Sequence, residues 1–151
     1  MARRSAGIVL YRNAIEVLLV HPGGPFFAKK DAGVWSIPKG EYEDGDDPLA
    51  CALREFEEEL GTALEADSPI ELGTIVQRGG KHVIAWAVEG DLDPSSAHSN
   101  TFTMEWPPRS GRQQEFPEVD RAEWFSVQEA REKLVPAQVE LLDRLVERVS
   151  S

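Results

Sequence analysis

The chain has 151 residues, of which 41% are hydrophobic and 28% charged, so it can bury a hydrophobic core and is not disordered in composition. The 27 acidic residues exceed the 16 basic ones, and a formal net charge of −11 argues against nucleic acids and anionic membranes as partners. The single cysteine, Cys51, rules out an internal disulfide and is typical of a reducing cytoplasm. We therefore expect a cytoplasmic protein that folds as one domain over residues 1–151, and no stretch approaches the length of a membrane span.

The first part of the chain is predicted to form strands. Apolar runs at 5–11 and 15–21 predict two strands joined by a hairpin turn at 12–14. A loop rich in glycine and proline follows over 22–32, and a short strand is predicted at 34–37.

A helix is predicted from Pro48 to Leu60. Asp47 is placed to cap its N-terminus, and Pro48 fits the first helical position because its missing N–H has no partner there. Gly61 can adopt the left-handed conformation that commonly ends a helix. An apolar stripe at helical spacing would face the core, and its members are Leu49, Ala52, Leu53, Phe56 and Leu60.

The second half of the chain predicts further strands and two more helices. Strands at 70–77 and 83–88 flank a turn at 78–81, and a polar loop covers 91–100. The remaining predicted segments are an edge strand at 101–106, a polar and mobile loop at 109–121, a strand at 122–125, and helices at 127–134 and 137–149. The irregular alternation of strands and helices predicts an α/β fold with a mixed sheet between helices.

One face of the helix at 48–60 is acidic. Glu55, Glu58 and Glu59 fall at i, i+3 and i+4, so all three project from the same side. Runs of glutamate are usually a solvated helix surface. Carboxylates this close nevertheless repel one another, and a hard divalent cation is the natural ion to lie among them. Arg54 can pair with carboxylates of its own helix.

The surroundings of this face resemble a Nudix box, the signature of the Nudix hydrolases. That box is a glycine, five residues, Glu, seven residues, and then Arg-Glu-aliphatic-x-Glu-Glu-x-Gly-aliphatic. The resemblance covers the 23 residues from Gly40 to Thr62, where Asp46 replaces the first Glu and Thr62 the last aliphatic residue. The residues that fall in register are Gly40, Arg54, Glu55, Phe56, Glu58, Glu59 and Gly61.

The resemblance implies an α/β/α sandwich and a metal-dependent hydrolase that cleaves a pyrophosphate bond. It implies that Mg²⁺, with Mn²⁺ able to substitute, is held by Glu55, Glu58, Glu59 and the carbonyl of Gly40. It also implies that Arg54 orients Glu55 or Glu58. Which glutamate acts as the general base is not fixed by the box, because the base of some relatives lies in a downstream loop.

Two downstream carboxylates fit that role. Glu118 lies six residues before Trp124, close to the spacing of a glutamate outside the box in relatives that cleave dinucleoside polyphosphates. Glu115 lies nine residues before Trp124. We favour Glu118 and therefore place Glu58, Glu55, Arg54 and Glu118 in the catalytic set.

The substrate is less well defined by the sequence. The segment Trp35–Gly40 resembles that of members acting on nucleoside and dinucleoside polyphosphates, and Lys39 can contact a phosphate as a point charge. Phe26 and Trp106 are candidates to stack on a base, whereas Trp86, within a predicted strand, is expected in the core. Five other cations could form a phosphate-binding rim, namely Lys29, Lys30, Lys81, Arg109 and Arg112.

The leading hypothesis is thus a hydrolase of a small-molecule phosphate anhydride, a nucleoside or dinucleoside polyphosphate, working as a monomer or homodimer. An alternative is a catalytically silent Nudix-like domain that binds nucleotides for regulation, although such a domain has no need of every metal ligand. A third reading is an isopentenyl diphosphate isomerase. It would require a catalytic cysteine outside the box helix, and Cys51 lies within that helix.

Overall fold

The computed structural model describes residues 3–150. Within them a six-stranded mixed sheet, a separate pair of strands and three α-helices are formed. The strands are β1 (Arg4–Arg12), β2 (Glu16–Pro22), β3 (Lys39–Glu41), β4 (Ile70–Gln77), β5 (Lys81–Glu89), β6 (Thr101–Glu105), β7 (Gln113–Pro117) and β8 (Val119–Ser126). The helices are α1 (Pro48–Leu60), α2 (Val127–Lys133) and α3 (Val139–Ser150), with 3-10 turns at Pro94–Ser96 and Pro136–Gln138.

The main sheet has the strand order β4-β5-β1-β2-β8, and β3 pairs with the first half of β1. β1 and β5 are parallel, and the other pairs of this sheet are antiparallel. β6 and β7 form a two-stranded antiparallel sheet of their own. No helix among residues 3–150 is long and apolar enough to cross a membrane.

Each face of the sheet packs against helices. On one face, Phe56 and Leu60 of α1 are fully buried against alternate residues of β1, such as Ile8. On the other face, Leu141 and Leu145 of α3 are fully buried with the remaining residues of the same strands. Burial of a side chain of this size stabilises the fold by about 1.5–3 kcal/mol. The mixed sheet between helices confirms the predicted α/β/α sandwich.

The ends of α1 follow the predicted signals with one exception. Pro48 opens the helix, and Gly61 ends it with a left-handed φ of 72° and an N–H that donates to the Glu57 carbonyl. Asp47 is at the N-cap position, but its side chain makes no capping hydrogen bond. Asp46 braces the preceding turn instead, because its carboxylate accepts the Glu43 N–H at 3.1 Å.

Three segments differ from the sequence prediction. Residues 34–37 form two isolated bridges rather than a strand, with Ser36 beside Val20 and Trp35 beside Leu134. The predicted loop at 109–121 contains all of β7, where Phe116 lies beside Phe102 of β6, so cross-strand aromatic packing outweighs the polar local sequence. The last helix begins at Val139, after the 3-10 turn that Pro136 opens.

The buried side chain of Gln138 connects three distant parts of the chain. Its Oε1 accepts the Ile37 N–H at 2.9 Å. Its Nε2 donates to Ser36 Oγ at 3.1 Å and to Gln77 Oε1 at 3.0 Å. This network fixes the segment just before β3.

We expect Gln138→Leu to lower the free energy of unfolding by about 1–3 kcal/mol, because the Ile37 N–H would remain buried without an acceptor. Gln128→Leu, on the exposed surface of α2, is the matched control and should change stability little. Denaturant unfolding followed by circular dichroism would measure both. Equal stability of the two variants would contradict the role given to this network.

Candidate active site

The acidic face of α1 is partly removed from solvent. The Glu55 side chain is 20% exposed and lies close to that of Glu58. Burial raises the pKa of Glu55, and the negative charges of Glu58 and Glu118 raise it further, whereas Arg54 opposes the shift. The carboxylates of this face are therefore crowded, as their spacing predicts.

Glu59 is the most perturbed group of the site. Burial, followed by the charge of Glu55 and more weakly that of Glu118, raises its pKa from 4.5 to about 8. One oxygen, Oε2, accepts the backbone N–H of Lys39 at 2.9 Å, which partly offsets the shift. Glu59 thereby links α1 to β3.

Gly40 lies directly beneath Glu55. It is paired with Ala6, whose side chain faces α1, so a side chain at position 40 would also point towards this helix. A Cβ placed there would lie 2.1 Å from the Cδ of Glu55. Only glycine permits this approach, which brings the backbone of β3 against the carboxylate face.

Arg54 lies at the edge of this face. Its guanidinium is 3.9 Å from Oε1 of Glu55, and its side chain is 56% exposed. A contact of this length is a weak ion pair that orients the carboxylate more than it stabilises the fold.

Glu118 is brought to α1 by backbone hydrogen bonds. Its N–H donates to the Asn100 carbonyl, and its own carbonyl accepts from the Gly23 N–H, both at 2.9 Å. The Asn100 N–H in turn donates to the Glu58 carbonyl at 3.1 Å. Glu118 is close enough to raise the pKa of both Glu55 and Glu59. Glu115 lies in β7, opposite Thr103, and neither of these pKa shifts has it among its causes. Both Glu115 and Glu118 are exposed.

Glu59 and Glu118 open onto a cavity of about 150 Å³. Lys39 lines the same cavity. Its ammonium lies against that of Lys81, and its pKa is lowered by burial and then by this second positive charge. Two cations in contact form a favourable site for an anion. The other lining residues are Val20, Pro22, Val34, Ser36 and Val119.

A larger concavity, of about 430 Å³, lies beside Pro94 and β8. It contains none of the box carboxylates, so we place the site at the smaller cavity.

The two aromatic candidates are neighbours in the structure. The rings of Phe26 and Trp106 meet edge to face at 5.5 Å, and Phe26 is 59% exposed. Trp86 is 9% exposed and lies in the core, as expected. Four other cations are expected at a phosphate-binding rim, and all of them lie on the exposed surface: Lys29, Lys30, Arg109 and Arg112.

Two buried polar residues near Glu118 have no counterpart in the sequence analysis. The Ser99 hydroxyl accepts the Val119 N–H at 3.1 Å. His21 is fully buried and contacts Asp120. Ser99 bonds to a residue 20 positions away, and His21 contacts one 99 positions away. No local sequence pattern indicates either contact.

The donor chemistry of the site fits a hard divalent cation. Such ions prefer carboxylate and carbonyl oxygens. The positive charges of Arg54 and Lys39 do not offset the burial and mutual repulsion that raise the pKa of Glu55 and Glu59. Within residues 3–150, no three acidic, histidine or cysteine side chains converge closely enough to form a ready-made metal centre.

The sequence model of the NUDIX domain matches residues 1–145. The asymmetrical bis(5'-nucleosyl)-tetraphosphatase of Rattus norvegicus is 31% identical over 105 residues, 59% of this chain and 66% of that protein. The 8-oxo-(d)GTP phosphatase of Mycolicibacterium smegmatis is 27% identical over 162 aligned positions, 96% of this chain and 42% of that protein.

Other curated relatives match over shorter regions, and the chain spans 13–37% of the length of three of them. Among solved structures, a binary complex of the C. elegans Ap4A hydrolase superposes with a TM-score of 0.64. It is 22% identical, and the alignment covers 97% of this chain and 98% of that one. At this identity the likeness concerns the fold alone.

We expect the metal-free protein to lose stability as the pH rises from about 4.5 through about 8, because folding holds Glu59 in surroundings that favour its protonated form. Glu59→Gln has no charge to bury and keeps an acceptor for Lys39. As the pH rises across this range, the Tm of Glu59→Gln should therefore increase relative to the Tm of the wild type. Thermal melts in EDTA at pH 5 to 9 would measure it, and parallel curves would contradict the assignment.

Proposed function

The chain belongs to the Nudix hydrolase family, and we propose that it is a Mg²⁺-dependent enzyme that cleaves a pyrophosphate bond in a nucleoside or dinucleoside polyphosphate. The observation that carries this proposal is the meeting of Glu59, Glu118 and Lys39 around one cavity. Acidic groups for a metal and a basic group for a phosphate are the two requirements of such a reaction, and they occur side by side here.

We assign the ion to Glu55, Glu58, Glu59 and the carbonyl of Gly40. When bound, a divalent cation would supply positive charge against the charge that develops on the phosphate oxygens. Glu55 is held over Gly40 and oriented by Arg54, while Glu59 is fixed by the Lys39 N–H. The helix therefore presents its ligands from a rigid element.

The cations of β3 and β5 would bind the substrate phosphates. Lys39 and Lys81 start from strands on the two sides of β1 and lie close together, and Lys39 lines the cavity. A phosphate between them would relieve their mutual repulsion and stabilise the charged form of Lys39. This local positive charge lets an anionic substrate approach a protein whose net charge is −11.

Glu118 is our candidate for the group that takes a proton from the attacking water. It is close to the α1 carboxylates but comes from a different segment, which separates proton transfer from ligand binding. Glu58 is the alternative base within the box. Glu115 is the weaker candidate because it lies in β7 and, unlike Glu118, does not line the cavity.

The nucleoside would lie outside the cavity. A volume of about 150 Å³ is small beside the 300 to 1,000 Å³ of usual ligand pockets. Phe26 is exposed on the loop after β2, and Trp106 lies half-buried against it just after β6. Stacking of a base on such rings contributes about 1–3 kcal/mol. This arrangement, together with the similarity to an asymmetrical bis(5'-nucleosyl)-tetraphosphatase and an 8-oxo-(d)GTP phosphatase, supports the substrate class.

We further propose that the protein works in the cytoplasm on small molecules rather than on nucleic acids. The single cysteine is buried and unpaired, which suits a reducing compartment. The net negative charge disfavours long polyanions.

Purified protein is expected to hydrolyse at least one compound in a panel of nucleoside triphosphates, oxidised triphosphates, diadenosine polyphosphates and ADP-ribose. Mg²⁺ or Mn²⁺ should be required, and EDTA should abolish turnover, because the crowded carboxylates need a cation to act together. Chromatography of the products would identify the bond that is cleaved. Full activity after chelation would exclude the metal mechanism, and binding without turnover on every compound would favour a regulatory domain.

Glu58→Gln should lower turnover by about 100-fold or more, because it keeps the shape of the side chain but removes a ligand or base charge. Glu57→Gln is the control on the same helix, where residue 57 is exposed and off the metal face. Steady-state rates at saturating substrate and Mg²⁺ would measure both, with circular dichroism to verify the fold. Losses of the same size at both positions would refute the geometry proposed for α1.

A further inference from the structure

The end of β2 and the start of β8 are paired with a one-residue irregularity. His21 pairs with Arg121, but the next residue, Pro22, pairs with Val119, so Asp120 has no partner residue. Such a β-bulge reverses the alternation of side chains along a strand.

The bulge determines which face of the sheet the residues before it occupy. Val119 and Ala122 are an odd number of positions apart, yet both lie in the core beneath α1. In a regular strand Val119 would face the opposite side of the sheet. The extra residue therefore sets the orientation of the chain at Glu118, which directly precedes Val119.

His21 holds the bulged residue. Its ring is fully buried, Nδ1 lies 2.7 Å from Oδ1 of Asp120, and Nε2 lies 2.7 Å from the Lys30 carbonyl. The Lys30 carbonyl can only accept, so Nε2 donates to it, and Nδ1 is left to hydrogen-bond with the Asp120 side chain. His21 thereby joins the bulge in β8 to the far end of the loop that carries Phe26.

The backbone on both sides confirms that this junction is tight. The Gly23 N–H donates to the Glu118 carbonyl, and a Cβ on Gly23 would lie 1.9 Å from the Pro117 carbonyl oxygen. A small shift of β8 would therefore break the contacts that place Glu118.

We propose that His21 is a positioning residue, which fixes the Asp120 bulge by its two hydrogen bonds and so holds Glu118 against the carboxylate face of α1. This inference rests on the proposed function of Glu118. The competing explanation is packing alone, since the ring also meets Trp35 edge to face at 5.1 Å. A phenyl ring would satisfy packing but neither hydrogen bond, so His21→Phe separates the two explanations.

The first experiment measures amide hydrogen exchange by NMR, which needs no substrate. In His21→Phe the N–H groups of Gly23 and Glu118 should exchange about tenfold faster or more, because the junction they hold is loosened. Glu123→Gln, an exposed change on the same strand, is the control and should leave both rates unchanged. Unchanged rates in His21→Phe would overturn the proposal. Asp120→Ala, at a side chain 30% exposed, carries the same expectation if His21→Phe does not fold.

The second experiment is a double-mutant cycle on turnover. His21→Phe alone should lower kcat about tenfold with a smaller change in KM. Glu118→Gln alone should lower kcat by a larger factor. In the background of Glu118→Gln, adding His21→Phe should change kcat by less than about twofold, because the group it positions is already disabled. If the fold-losses in kcat of the two single variants multiply in the double variant, the positioning role is overturned. Normal turnover in Glu118→Gln would overturn both this role and the role of Glu118. Absence of all hydrolysis would contradict the proposed function, while the exchange rates would still decide whether His21 holds the bulge.

Discussion

Electrostatic repulsion among carboxylates on one face of α1 is the constraint around which the site is built. The helix is docked by Phe56 and Leu60, so it cannot turn its acidic face towards bulk water without losing the core beneath it. Burial then makes the charge on Glu59 costly, and the backbone N–H of Lys39 compensates only part of that cost. Because the fold keeps these groups close together, a cation bound among them would relieve their repulsion.

The short strand β3 allows one segment to serve two purposes. Gly40 faces α1 and admits Glu55, while the residue before it, Lys39, donates its backbone N–H to Glu59 and lies near Lys81. Glycine at position 40 admits the Glu55 carboxylate, and glycine at position 7 makes room beside Lys39 and Ile37. The residue proposed to contribute a metal ligand and the residue proposed to bind phosphate are therefore adjacent in β3.

The sequence predicts the parts of this arrangement that depend on local spacing. The helix Pro48–Leu60, its terminating glycine and its carboxylate face follow from a 3.6-residue period and from turn chemistry. The strand β7 was missed because its pairing with β6 depends on Phe102 and Phe116, in segments that look polar. His21 was missed because a lone histidine has no periodic signal, and its partner Asp120 is 99 residues away. The spacing to Trp124 favours Glu118 over Glu115, but no single-strand pattern encodes the bulge that orients the chain at Glu118.

The antiparallel pairing of β2 with β8 also determines when the site can exist during biosynthesis. Glu118 is held by contacts with Gly23 and Asn100, so its arrival requires the closure of a loop of nearly a hundred residues. On the ribosome, the box helix is translated, and can dock on β1, long before β8 has left the exit tunnel. A nascent chain can therefore present the carboxylate face of α1 while it still lacks the carboxylate from the distant segment, and the complete set of acidic groups is assembled only once β8 has emerged.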